Sequence, residues 1–151
     1  MVALTALLNF AITLGLFLLV LALIGRFPGE AVLALPLLVG LQLLFALGLG
    51  LLLGLLNVFF RDVGQLFAIA LQLWFWLTPI VYPMNILPPA LQPWLALNPM
   101  TGLMQAYQML FLHDAWPSWQ QLAPIAVAGL VSCLLALLLY RAKTSDMLDE
   151  L

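Results

Sequence analysis

Long apolar runs, broken at only a few charged points, set the pattern of this chain. Arg26 and Glu30, Arg61 and Asp62, and Asp114 separate uncharged stretches over residues 1–25, 31–60, 63–112 and 115–140. Each is longer than the roughly 20 residues a helix needs to cross a hydrocarbon core about 30 Å thick. The pattern predicts spans at about 2–25, 32–56, 63–82 and 120–140. The fold class that follows is an all-α integral membrane protein.

Smaller patterns lie within the runs. Thr5, Asn9 and Thr13 recur at steps of four and share one helix face, which suits either interhelical hydrogen bonding or a transport path. The segment from Arg26 to Glu30 combines charge, proline and glycine and predicts a tight turn. In the second run Ala46, Gly50 and Gly54 form a ridge without side-chain bulk, where another helix is expected to approach closely. Pro36 falls near the start of that span, where a missing N–H is best tolerated. Asn57, Arg61, Gln65, Gln72 and Trp76 follow at helical spacing and predict a polar stripe running inward from the charged pair. Arg61 and Asp62 are adjacent, so they point about 100° apart on a helix and need separate partners.

Prolines at 83, 88, 89, 93, 99 and 117 break the stretch after Tyr82. Pro88 and Pro89 suit the first turn of a short helix over 88–97. Asn98 is an expected N-cap, with Pro99 at the first position of a second helix over 99–112. Pieces of this length reach only about 15–21 Å, so a re-entrant hairpin that enters and leaves on one side is expected. About four spans plus this hairpin place Arg61, Arg141 and Lys143 on one side and Arg26 on the other. The positive-inside rule makes the first side cytoplasmic. Counting the hairpin as a fifth span would reverse the orientation. The polar, proline-broken character of residues 94–112 favours the four-span reading.

Composition narrows the classes. The chain is 66% apolar and 7% charged, with four basic and six acidic side chains and a net charge of −2; the mean hydropathy is +1.20. This fits a membrane protein, and gives neither a nucleic-acid-binding face nor a polybasic lipid anchor. The N-terminal run reads as an anchor, since no basic residue precedes it. Cys133 stands alone, so an internal disulfide is excluded. No phosphate-binding loop, nucleophile elbow or metal-ligand spacing is present, so ATP-driven work needs a partner chain. His113 beside Asp114 reads as a loop residue. Tyr82, Trp94, Trp116 and Trp119 fall near the expected outer face, as interfacial anchors or as a platform on which sugar rings could stack.

The segments Asn57-Val-Phe-Phe-Arg-Asp-Val63, Leu77-Thr-Pro-Ile-Val-Tyr-Pro83 and Leu97-Asn-Pro99, in this order and followed by a final span, resemble the permeases of ABC-2 type exporters. The resemblance covers about residues 40–140 and is strongest to exporters of polysaccharide and lipid-linked glycan, including O-antigen and teichoic acid. It implies a non-enzymatic transport subunit in the bacterial inner membrane. Expected partners are a cytoplasmic ABC ATPase, which would bind ATP and Mg, and a second permease copy. The implied cargo is a glycan on a lipid carrier. Asn57, Arg61 and Asp62 would then form a gate or a contact for the cargo's phosphate, Arg61 through its bidentate donors. An interfacial anchor is the other reading of these three. Gln65, Gln72 and Trp76 would face the pore. Thr78, Pro79, Tyr82, Pro83, Asn98 and Pro99 would be structural breaks that shape the exit. Relative to the family pattern, the amphipathic N-terminal helix, two spans and their cytoplasmic loop are missing, so a C-terminal permease portion is expected. The other function readings are a non-transporting remnant or assembly subunit, an ABC-2 exporter of a different amphipath, and a membrane enzyme acting on lipid-linked sugars.

Overall fold

A computed structural model of the chain describes residues 2–80, 82, 86 and 88–149, with side chains within 4–142. The helices are α1 (Val2–Leu23), α2 (Leu35–Phe59), α3 (Val63–Leu77), α4 (Gln92–Ala96), α5 (Pro99–His113) and α6 (Trp119–Asp149), with a 3₁₀ turn at Glu30–Ala34 before α2. Among the described residues all regular structure is helical. The protein is an all-α integral membrane protein: Leu4–Leu23, Glu30–Phe59 and Trp119–Ala142 are each long and apolar enough to cross a bilayer.

α3 departs from the expected span over 63–82. It has 15 residues, about 22 Å at 1.5 Å per residue. The cause is local: Pro79 disfavours helical geometry at the residue before it. Thr78 accordingly sits in the extended region at φ −89°, ψ 128°. The expected hairpin helix over 88–97 is also shorter, at Gln92–Ala96. Pro88 instead supports a turn, its carbonyl accepting from Leu91 N–H at 2.9 Å, and Pro93 occupies the first helical turn. Pro36 lies in the first turn of α2, where its missing N–H costs nothing.

The core is the contact of α2, α5 and α6, where Leu38, Leu103, Leu110 and Ile125 are fully buried. α2 and α6 pack through glycine. A Cβ on Gly48 would lie 2.8 Å from Cys133 Sγ and 2.9 Å from the Gly129 carbonyl oxygen, and one on Gly129 would lie 3.1 Å from Phe45 N. Pairing of 45 with 129 and of 48 with 133 advances in step along both helices, so they run parallel. The expected ridge of Ala46, Gly50 and Gly54 is not this contact. Gly50 and Gly54 meet nothing within 4 Å. Gly48 lies on the same helix face as the buried Phe45 and Leu38, nearly half a turn from the predicted ridge.

Two hydrogen bonds, one of them between residues far apart in the chain, tie the ends of the bundle. Gly29 N–H donates to Asp114 Oδ1 at 2.8 Å. Asp114 closes α5 with φ 48° in the left-handed region, which a short polar side chain tolerates better than most. The α1–α2 turn and the α5–α6 loop therefore lie together. At the other end Asn57 Oδ1 accepts from Gly64 N–H at 2.9 Å, joining α2 to α3. Because α6 runs parallel to α2, Arg141 lies toward the Arg61 end and Arg26 toward the opposite one. α1 is the least engaged helix. Its edge-on ring contact between Phe17 and Phe111, at 5.0 Å, is one of few ties to the core. Thr5, Asn9 and Thr13 are on its exposed side, where Thr13 donates to the Asn9 carbonyl at 2.8 Å.

Candidate functional site

The α2–α3 turn is built from helix ends. α2 stops at Phe59 and Phe60 is extended, at φ −129°, ψ 96°. The stripe expected from Asn57 through Arg61 to Gln65 is therefore interrupted, since four-residue spacing aligns side chains only within one continuous helix. Asn57 remains on α2 and spans the break. Asp62 occupies the N-cap position of α3 but makes no side-chain cap bond; Asn57 supplies that acceptor from the preceding helix instead. The geometry shows Asn57 capping α3 from the end of α2.

Arg61 and Asp62 are exposed. Among the described residues neither makes an ion pair. Each charge nevertheless stands beside the helix end it complements: Arg61 follows the C-terminus of α2, and Asp62 precedes the N-terminus of α3. This arrangement sets one charge beside each helix end at the turn.

Along α3 the two faces differ. Val63, Phe67 and Trp74 are half-buried and point toward α2. Gln65, Gln72 and Trp76 lie about 180° away at 3.6 residues per turn, and all three are exposed. They share a face, as the spacing predicts, and that face is turned away from this chain's own core.

A second constellation lies where α3 meets α5. Asn98, extended at φ −69°, ψ 119°, accepts from Met100 N–H through its side chain and caps α5, with Pro99 in the first turn. Asn98 Oδ1 also accepts from Trp74 Nε1 at 2.8 Å, and Asn98 Nδ2 donates to Thr78 Oγ1 at 3.1 Å. Thr78 Oγ1 in turn donates to the Trp74 carbonyl at 2.8 Å. Trp74 stands edge-on to Phe45 of α2, with centroids 5.9 Å apart. One asparagine thus ties the end of α3 to the start of α5. Thr78 and Pro79 are buried. Tyr82 O–H donates to the Trp76 carbonyl at 3.0 Å. Pro83 lies outside the described residues. Trp74 was missed in the sequence because an indole within an apolar run reads as filler. Its spacing of four from Thr78 was the available signal.

Around these residues are three apolar cavities. One of about 410 Å³ lies between α2, α3 and α5, lined by Phe45, Gly50, Phe67, Trp74, Thr78 and Met104 among others. One of about 660 Å³ separates α1 from α2. A shallow groove of about 780 Å³ runs between α3 and the α4–α5 junction, past Trp76, Trp94 and Asn98.

These features belong to a helical bundle with a charged turn at one end and proline-broken helices at the other. The sequence profile of the ABC-2 type transporter family matches residues 1–112, and the chain belongs to that family. It is 32% identical, over 99% of its length and 58% of the relative's, to the O-antigen export system permease protein RfbA of Myxococcus xanthus. Two proteins of the same name from Klebsiella pneumoniae are 22% and 27% identical, over 66% and 70% of this chain and 38% and 41% of theirs. The chain thus spans about 58% or less of these relatives. The family match reaches residue 1, well ahead of the expected start near residue 40.

Proposed function

We propose that this chain is the membrane-channel portion of an exporter that moves a lipid-linked glycan outward across the bacterial inner membrane, as a multi-pass protein driven by a separate ABC ATPase. The observation that carries this reading is the family membership together with relatives named for O-antigen export. ATP and Mg belong to the ATPase subunit, and a second permease copy, or a partner supplying the rest of the relatives' length, completes the channel. The Arg61 end is cytoplasmic, following the clustering of basic residues there. Three full-length spans, with α3 as a shorter fourth pass ended by Thr78-Pro79, plus a re-entrant α4–α5 hairpin are consistent with the two end links, since α5 returns to the end where Gly29 lies.

In this reading Arg61 and Asp62 stand at the cytoplasmic mouth, with Asn57 holding the turn in shape. The exposed face of Gln65, Gln72 and Trp76 lines the pore. Arg61 offers paired donors to a carrier phosphate. Thr78, Pro79, Tyr82, Asn98 and Pro99, with Pro83, shape the exit. Deleting the gene is expected to remove surface glycan while lipid-linked glycan accumulates inside. Wild-type sequence restores export, and Arg61→Ala with Asp62→Ala restores it roughly tenfold less well, the worth of one charge-assisted hydrogen bond. Surface glycan unchanged by the deletion sinks the export reading; full rescue by the double variant sinks the role of the mouth.

A further inference from the structure

One face of α3 carries polar groups that the rest of the chain does not meet. Gln65, Ile69, Gln72 and Trp76 follow at steps of four, three and four, and all four are exposed. They point opposite to Val63, Phe67 and Trp74, which turn toward α2. Gln72 lies ten residues beyond Asp62. That is about 15 Å of helix, near the middle of a hydrocarbon core about 30 Å thick. Among the described residues neither glutamine side chain makes a hydrogen bond. A lipid tail offers an amide nothing, and an unbonded amide at that depth is costly. Water satisfies the glutamines but not Ile69 and Trp76, which alternate with them. Another helix satisfies all four.

The spacing and the chemistry select which helix. Steps of four and three return side chains to one seam when two helices cross at a small left-handed angle, the commonest crossing in membrane bundles. About a two-fold axis each seam residue meets its own copy. A glutamine amide is both donor and acceptor, so one Gln72 satisfies another, as two like charges would not. We propose that the α3 face of Gln65, Ile69, Gln72 and Trp76 is the seam where two copies of this chain meet about a two-fold axis along the membrane normal, the Gln72 amides bonded to each other at mid-membrane. A channel on that axis is bordered by the same residues. The seam thus deepens the export reading, and it rests on that reading only for what passes along the axis.

The test maps the seam by disulfide linking. Full chains carrying Cys133→Ser and one new cysteine are reconstituted into phosphatidylethanolamine/phosphatidylglycerol vesicles at high lipid excess, oxidised and read on non-reducing gels. Linked dimer is expected for Gln65→Cys, Ile69→Cys, Gln72→Cys and Trp76→Cys. Leu66→Cys and Leu73→Cys are expected to stay monomeric. These two positions are as exposed as the seam, but their copies fall on opposite sides of the axis, beyond the roughly 7 Å between Cα atoms that a disulfide can bridge. In the Ile69→Cys chain, adding Gln72→Leu removes the paired amides, so linked dimer is lost at about fivefold lower lipid dilution. Gln72→Asn keeps a donor and an acceptor and retains most of the dimer. Linking at Leu66→Cys and Leu73→Cys equal to that on the seam is random collision and overturns the proposal. No linked dimer at any seam position assigns the face to a different helix and overturns it too, as does an unmoved dilution point in Gln72→Leu. None of these results depends on surface glycan after gene deletion, so failure here and failure of the export reading are separate outcomes.

Discussion

The two sides of α2 solve opposite packing problems. Toward α6, Gly48 and Gly129 let the backbones meet at a distance where a single added Cβ has no room. Toward α3, Ala46 and Gly50 are just as small, yet they border open cavities. Small residues permit close approach; they do not cause it. What brings α6 in is the buried surface around Leu38, Phe45, Leu122 and Ile125, while α3 is held near its ends, by Asn57 below and by Trp74 and Asn98 above. A helix seated along its length is a fixed wall, and one tied near its ends leaves a space between.

The largest effect is expected where α5 meets α6, a second face of α6 that is seated as tightly as the one against α2. A Cβ on Gly102 would lie 2.0 Å from the Gln121 carbonyl oxygen, so Gly102→Ala is expected to lose about 3 kcal/mol, because backbone cannot rotate out of the way. A fall in the thermal unfolding midpoint in detergent reads this, and an unchanged midpoint contradicts the α5–α6 contact. The next test sets the two faces of α2 against each other. Gly48→Ala is expected to cost about 2 kcal/mol through overpacking against α6. Gly50→Ala enters open space and is expected to be neutral or stabilising by up to about 1 kcal/mol, from helix propensity alone. If the two variants have equal midpoints, the tight and loose sides are not distinct. The smallest effect sharpens the account of the core. Thr101 Oγ1 is buried and has no hydrogen-bond partner among the described residues. Thr101→Val is expected to gain about 1 kcal/mol by removing an unsatisfied group, and a loss of stability would show that the hydroxyl has a partner.

Much of the architecture was legible because hydrocarbon thickness writes itself into the chain as run length. α1, α2 and α6 follow from uncharged runs, and the break at Asn98-Pro99 follows from cap chemistry. The end of α3 is equally a consequence of Thr78-Pro79, although the expected span ran past it. Illegible parts depended on which face met which neighbour. Ala46, Gly50 and Gly54 match the small-residue pattern better than Gly48 does, but pattern alone does not say where the buried leucines will draw the partner helix. The stripe through Asn57, Arg61 and Gln65 assumed one continuous helix. An extended Phe60 breaks it, and no proline or glycine announces the break. Of the candidate site, Arg61 and Asp62 stood out by charge. Trp74 did not, because its one polar atom matters only once Asn98 is beside it.

The bond between Gly29 and Asp114 closes a loop of 85 residues. Synthesis at about 5–20 residues per second separates the two partners by roughly 4–17 s. The α1–α2 hairpin must therefore enter the bilayer and wait, its turn unclamped, while α3 and the proline-broken segment are still being made. Only when α5 has emerged with Asp114 behind it can the two loops lock, so this short contact forms after α3, α4 and α5 have been made.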